Sequence, residues 1–210
     1  MTTFDKLSEL FRSFPGIGPR QAKRFVYFLL SCDSSLPDEL IELISMLKKE
    51  TVQCTDCFRF FQKRGASILC PICGDTSRDT GELIIVARDT DLEAIEKSNT
   101  YHGKYFVLGG TLALIERKHA DKLRMKELTD RVSRSVTPAK AGVQPLKEVI
   151  LALSANPDGE HTSDELKTLL APLSVKISTL GRGLSTGSEL EYADKETLKS
   201  ALKNRSSGAS

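Results

Sequence analysis

The sequence has no tryptophan, only three histidines and three methionines, and aromatic residues make up 6% of it. His102, His119 and His161 are scattered, and none forms a serine–histidine or cysteine–histidine grouping that would support nucleophilic catalysis. No run approaches the roughly eighteen apolar residues that a membrane span needs. The N-terminus, MTTFDKLSELFRSF, carries acidic residues and lacks the apolar block of a signal peptide, so the expected location is the cytoplasm. No phosphate-cradling GxxxxGK[ST] loop exists, which argues against ATP binding. An excess of one charge is missing too: 30 basic against 28 acidic side chains leave a formal charge of +2. Any contact with nucleic acid must therefore come from a local patch and not from the global field. At 210 residues and 40% hydrophobic, the chain can bury a core, in one large domain or two small ones.

Cysteine is sparse but concentrated. Four of the five lie in CTDCFRFFQKRGASILCPIC, as two C-x2-C pairs, Cys54 with Cys57 and Cys70 with Cys73, separated by twelve residues. Each pair can turn two thiolates toward one tetrahedral ion while the spacer forms a loop. Disulfides are disfavoured in a reducing cytoplasm, and a redox C-x-x-C needs one pair and not two. An iron–sulfur cluster also takes four thiolates, although its usual clustered spacings differ from this one. Zinc is the expected ion, one per chain. With four protein ligands no position stays open for water or substrate, so it is expected to be structural. Cys32, near an expected helix end, reads as a small half-buried residue.

Phe4, Leu7, Leu10, Phe11 and Phe14 recur at helical spacing. In PGIGPRQAKRFVYFLL, Gly16 and Gly18 permit a tight turn and Pro19 suits the first position of a second helix, to which Ala22, Phe25, Val26 and Leu29 give an apolar face. The amides of such a hairpin can approach a phosphate at the helix N-terminus while cations neutralise it. No acid occurs between Phe11 and Cys32, whereas Arg12, Arg20, Lys23 and Arg24 do, and Arg20 and Arg24 are one helical turn apart. An ordinary helical corner with solvated charges is the bland alternative; the acid-free window favours DNA, with Gly16, Gly18, Arg20, Lys23 and Arg24 as the contact set. A third helix from SSLPDEL is expected to carry Leu40, Ile41, Leu43, Ile44 and Leu47 inward.

Beyond Gly81, short apolar strands ELIIVA, KYFVLGG, KEVILALS and SVKISTLG alternate with helices DTDLEAIEKS, DKLRMKELTDRV and TSDELKTLLA. That alternation predicts a parallel sheet covered on both faces. Residues 133–145 read as a long polar loop, NRSSGAS as a frayed tail, and GSELEYAD, with Glu189, Glu191 and Asp194, as a turn leading into an N-capped helix.

The order of these parts resembles the RecR family of bacterial recombination mediators. FPGIGPRQAKRF looks like its helix-hairpin-helix, the cysteine quartet like its zinc finger, KYFVLGG and EVILALSANPDGEHT like strands of its Toprim domain, and GRGLSTGSELEYADKETLKSAL like its C-terminal signature. The resemblance covers almost the whole chain. It implies a fold in which an all-α helix-hairpin-helix region (1–51) and a C4 zinc finger (52–79) precede a Toprim-like α/β domain (80–178) and a C-terminal oligomerisation segment (179–210). It also implies a DNA-binding mediator that acts with RecO, and with RecF in some bacteria, to load RecA onto single-stranded DNA gaps. The resemblance further implies a ring-like homo-oligomer, a tetramer or dimer, in the nucleoid-associated cytoplasm.

The departures matter as much. Toprim domains usually end their first strand in a glutamate, and Ala87 occupies the matching position here; a glycine-rich segment after the middle strand is replaced by TLALIERKHADKL. A Toprim enzyme gathers a divalent metal with a strand-end glutamate and a DxD-like pair, because hard cations need several converging oxygens. Asp158 and Glu160 form an acidic D-x-E, expected in a loop after a strand, but without a carboxylate at 87 the triad is incomplete. Asp89 and Asp91 are better read as first-turn acids that cap the next helix. The chain is therefore expected not to be an enzyme, and its acidic cleft at Asp158 and Glu160 to meet a partner such as RecO. A metal-dependent Toprim enzyme acting on nucleic acid, and a zinc-containing interaction module without DNA affinity, are the alternatives.

Overall fold

The computed structural model describes residues 1–63, 65–113, 123–136, 144–181, 183–184, 187 and 189–205. The chain divides into two compact units, Met1–Val52 and Gln53–Ser210. No helix among the described residues is long and apolar enough to cross a membrane.

The first unit is helical. Helix α1 (Thr3–Arg12) opens on a capping box, in which the Thr2 N–H donates to the Asp5 carboxylate at 2.9 Å and the Asp5 N–H donates to the Thr2 hydroxyl at 3.2 Å. The chain then reverses through Gly16, whose φ of +78° is left-handed backbone that a side chain would strain. Helix α2 (Pro19–Ser31) begins at Gly18 with Pro19 in its first turn. Helices α1 and α2 pack through Ala22, Val26 and aromatic pairs: Phe11 on Phe25 with centroids 5.5 Å apart, and Phe4 on Tyr27 at 5.0 Å.

Helix α3 (Ser35–Glu50) departs from expectation. It buries no residue: Leu40, Ile41, Leu43, Ile44 and Leu47 are all exposed, Ile41 at 66% and Leu47 at 63%. Leu10 and Phe14 of the first helical pattern are exposed as well. Helical spacing identifies an apolar stripe but not what covers it, and the two short helices of this unit offer too little surface to do so. An open apolar groove of about 690 Å³, lined by Leu7, Phe11, Val26, Leu40, Ile41 and Ile44 among others, is left between the three helices.

Strands β1 (Thr51–Gln53) and β2 (Phe60–Gln62) form a two-stranded sheet, followed by the single turn α4 (Pro71–Gly74). The main sheet consists of β3 (Glu82–Val86), β4 (Lys104–Val107), β5 (Glu148–Ala152) and β6 (Lys176–Thr179), in the order β4–β3–β5–β6 with every neighbouring pair parallel. Successive side chains point to opposite faces, so the continuous apolar strands feed two layers. On one face Leu83, Ile85, Phe106, Val149 and Leu151 pack against Leu128 and Val132 of α6 (Met125–Val136) and Leu166 and Leu170 of α7 (Pro157–Leu170). On the other, Ile84, Val86, Tyr105 and Val107 pack against Leu92 of α5 (Asp89–Lys97) and against Cys54, Cys57, Cys70 and Ile72. The α/β fold is as expected, but the cysteine module forms part of the sheet's cover. Helix α8 (Lys195–Lys203) closes the chain, with the Asp194 carboxylate accepting from the N–H groups of Glu196 and Thr197 at 2.9 and 3.0 Å.

Two boundaries differ from the sequence reading. Residues 133–136 are not loop but the last turn of α6, where the Ser135 hydroxyl donates to the Arg131 carbonyl and Val136 packs on the core. The remainder of that expected loop, 137–143, lies outside the described residues, as do 114–122 of the altered middle segment and 206–210 of the tail. Helix α7 starts five residues earlier than TSDELKTLLA suggests. Asn156 caps it, its side-chain oxygen accepting from the Gly159 N–H at 2.8 Å, and Pro157 takes the first position.

A close approach fixes Gly159. A Cβ built there would lie 2.0 Å from the Ser154 carbonyl oxygen and 3.1 Å from Asn156 Oδ1. Gly159→Ala must push the β5–α7 turn apart, at an expected cost of about 2–3 kcal/mol by the usual toll of overpacking. Denaturant unfolding monitored by far-UV circular dichroism checks this.

Candidate metal centre and nucleic-acid interface

Strand pairing and the α4 turn bring the two cysteine pairs together. The Cys54 N–H donates to the Arg59 carbonyl and the Phe58 N–H to the Cys54 carbonyl, closing the first knuckle; Phe58 takes a left-handed φ of 62° to do so. In the second knuckle, Pro71 starts a single turn that returns Cys73 toward Cys70, with the Gly74 N–H on the Cys70 carbonyl at 2.9 Å. All four Sγ atoms lie within 4.8 Å of one another, and Cys57 Sγ is 3.6 Å from Cys70 Sγ. A tetrahedral ion with zinc–sulfur bonds of about 2.3 Å requires sulfur–sulfur edges of roughly 3.8 Å, so the cluster fits zinc.

Electrostatics point the same way. Hydrogen bonds from Cys57, then Cys70 and Cys73, hold the Cys54 thiol well below its usual value. Bonds from Cys54 push Cys57 and Cys73 up, with burial adding to the shift in both. Four sulfurs this close cannot all ionise without a cation among them, and a divalent ion removes the conflict. Backbone amides already face the sulfurs: the Cys70 N–H donates to Cys54 Sγ at 3.4 Å and the Cys73 N–H to Cys70 Sγ at 3.5 Å. The site is closed, since Cys54, Cys57 and Cys70 are fully buried. It can hold an ion but offers it no substrate.

The module is bonded to the sheet at several points. The Val107 N–H donates to the Cys57 carbonyl at 2.8 Å, the Phe60 N–H to Asp89 Oδ1 at 2.8 Å, and Arg131 pairs with Asp56 at 2.7 Å. Phe58 stacks edge-on to Phe106 with centroids 5.3 Å apart, and the Arg124 guanidinium lies 5.5 Å from the Phe58 ring centre. Sequence reasoning missed these partners, which are tens of residues from the cysteines. Asp89, so engaged, ties β2 to α5, while Asp91 accepts from the Arg88 N–H at 3.0 Å as an N-terminal cap.

Parallel neighbours β3 and β5 place Ala87, one residue past β3, and the β5–α7 turn at the same carboxyl end of the sheet. Ala87 is 4% exposed and brings no oxygen there. Asp158 and Glu160 are not loop residues but sit in the first turn of α7, on either side of Gly159, where carboxylates meet the positive end of the helix dipole. That placement gives both residues a helix-stabilising role that the sequence reading did not include.

In the helical unit, the hairpin glycines and Arg20, Lys23 and Arg24 are all exposed at the start of α2. No side chain caps this terminus, so its first amides face outward. No ion pair among the described residues involves Arg20, Lys23 or Arg24, whereas Arg12 is held by Glu9 at 2.6 Å. Lys23 does act at longer range on Asp5, whose carboxyl is lowered chiefly by the Thr2 N–H, then by the Thr2 hydroxyl, and least by this lysine. Arg20 and Arg24 are thus the least engaged cations of this patch among the described residues.

The chain is similar to known proteins over nearly its whole length. Residues 81–181 match the Toprim domain model and 183–206 the model for the RecR C-terminal region. Curated relatives described as "Recombination protein RecR" include those of Roseiflexus sp. (strain RS-1), 37% identical, and Chloroflexus aggregans, 40% identical, each over 95% of this chain and 91% of the relative. The protein of that name from Herpetosiphon aurantiacus is 34% identical over 95% of this chain and 92% of its own length. With a Toprim sheet, a helical N-terminal unit, a four-cysteine cluster able to hold a metal ion and this similarity, the chain belongs to the RecR family of recombination proteins.

Proposed function

We propose that this protein is a DNA-binding recombination mediator that works with RecO, and with RecF where present, to load RecA at single-stranded gaps. The observation that carries the DNA half is the α2 N-terminus: an uncapped helix start behind a glycine turn, with exposed Arg20 and Arg24 one turn apart and outside any ion pair among the described residues. Amides and guanidiniums in that arrangement suit a phosphate backbone, which is read by charge and not by sequence. One subunit offers few such contacts. The uncovered apolar stripe of α3, with Leu10 and Phe14, supports assembly into a ring-like homo-oligomer. Linked subunits raise the effective concentration of each remaining contact.

The protein is a mediator and not an enzyme. At the carboxyl end of the sheet Ala87 supplies no metal ligand, and Asp89 and Asp91 are engaged in fixing α5 and β2. Two carboxylates on the first turn of α7 are a poor cage for a hard cation that wants several oxygens. They suit a basic surface, and the partner proposed for them is RecO. Asp158→Lys with Glu160→Lys is expected to weaken RecO capture at least tenfold while DNA binding is retained. Unchanged RecO capture would contradict the acidic-cleft assignment, and magnesium-dependent cleavage abolished by Asp158→Ala would favour the enzymatic alternative.

A further inference from the structure

Lys104 opens β4, an edge strand, yet it is only 7% exposed. Its ammonium donates three hydrogen bonds, to the carbonyls of Ile72 at 3.0 Å, Cys73 at 3.2 Å and Asp75 at 2.6 Å. Those carbonyls belong to the second cysteine knuckle and the residues just after it. Three residues on, the same strand gives the Val107 N–H to the Cys57 carbonyl of the first knuckle. Both halves of the cysteine cluster are therefore held by one strand, at positions 104 and 107.

A buried ammonium is costly unless it is paired with an anion. No ion pair among the described residues involves Lys104. Carbonyl dipoles solvate it but carry no net charge. Two groups can provide one: the Asp75 carboxylate, on which Lys104 acts electrostatically, and the metal centre, because four thiolates around a divalent ion leave a net charge of −2. A cation bonded to the carbonyl of a ligating residue both fixes that residue's direction and offsets this charge, the two ways in which outer-shell groups tune a metal.

We propose that Lys104 is a positioning residue for the metal centre: a buried cation that orients the Cys70–Cys73 knuckle through its carbonyls and counterbalances the charged zinc–thiolate group. The proposal rests on the zinc reading of the four cysteines. It makes zinc binding and the seating of strand β4 a single event, and it assigns an apparently ordinary strand-start lysine to the metal site.

The test is equilibrium competition for zinc between the protein and a chromophoric chelator, preceded by a measurement of zinc content in the wild-type protein. Lys104→Gln keeps a donor but removes the charge, Lys104→Met removes both, and Lys104→Arg keeps the charge. Zinc affinity is expected to fall about 10–100-fold in the Gln and Met variants, as for loss of other outer-shell partners, and to stay within a few-fold of wild type in the Arg variant. Gln and Met variants that melt lower both with and without metal, yet hold zinc as tightly as wild type, would show a packing role only and overturn the proposal. An Arg variant that loses zinc as readily as the Met variant would overturn the charge argument, even if the Gln variant does not fold. A wild-type protein that carries no zinc would instead refute the underlying metal reading, which separates the two failures.

Discussion

Stripping the metal, or replacing Cys57 by serine, is expected to lower the melting temperature by on the order of 10–20 °C and to turn the protein toward aggregation. The size of the effect follows from where the cluster sits. Cys54, Cys57 and Cys70 share one core with Ile84, Val86, Leu92, Tyr105 and Val107 of the Toprim sheet and its helix. Structural zinc binding supplies about 10–16 kcal/mol in small peptides, comparable with the entire stability of a typical domain, about 5–15 kcal/mol. Losing even a third of that, at about 2–4 °C per kcal/mol for a chain of this size, gives the expected shift. Aggregation follows from topology: β4 is an edge strand, and the Cys57 carbonyl occupies its outward Val107 N–H. Once the knuckle melts, that edge is free to pair with another chain. Calorimetry and light scattering with and without a zinc chelator check both parts. A stripped protein that melts within two or three degrees of the loaded one would mean that the sheet does not depend on the module.

Charge reversal at two positions, Arg20→Glu with Arg24→Glu, is expected to weaken binding to a gapped duplex by at least 100-fold while zinc content and oligomeric mass hold. Each phosphate contact releases condensed counterions and contributes about 0.9 to the slope of log affinity against log salt on duplex DNA. Removing two contacts per engaged subunit should therefore flatten that slope by close to two for each. Each lost contact worth about 1.4 kcal/mol is a factor of ten, and repulsion from the new carboxylates adds to it. Both arginines are exposed, and neither takes part in the packing of α1 on α2, which runs through Ala22, Val26 and Phe25. The variant should thus fold normally. Equal affinities and slopes for variant and wild type would move the DNA surface elsewhere on the molecule.

The parts that were legible in the sequence are those whose physics is local. The C-x2-C spacing fixes its own geometry, the Gly16 turn and Pro19 start announce α2, and continuous apolar strands announce a parallel sheet. Burial of α3 was not legible, because periodicity shows an apolar face and leaves its cover unspecified. The start of α7 is written in Asn156-Pro157, a cap followed by a first-turn proline, while the apolar spacing becomes clear only from Leu166 onward. Lys104 gave no signal at all. A lysine before Tyr105, Phe106 and Val107 looks like a solvated strand end, and its three carbonyl partners lie about thirty residues earlier in the chain.

The proposed mediator binds DNA through the phosphate backbone as an assembled oligomer. The most direct test is the affinity of the zinc-loaded protein for a labelled gapped duplex across a range of salt concentrations, with oligomeric mass recorded on the same samples. The expected result is an oligomer whose log affinity falls linearly with log salt. An intact, zinc-loaded oligomer that ignores DNA even at low salt would contradict it, and would leave a protein-interaction module in its place.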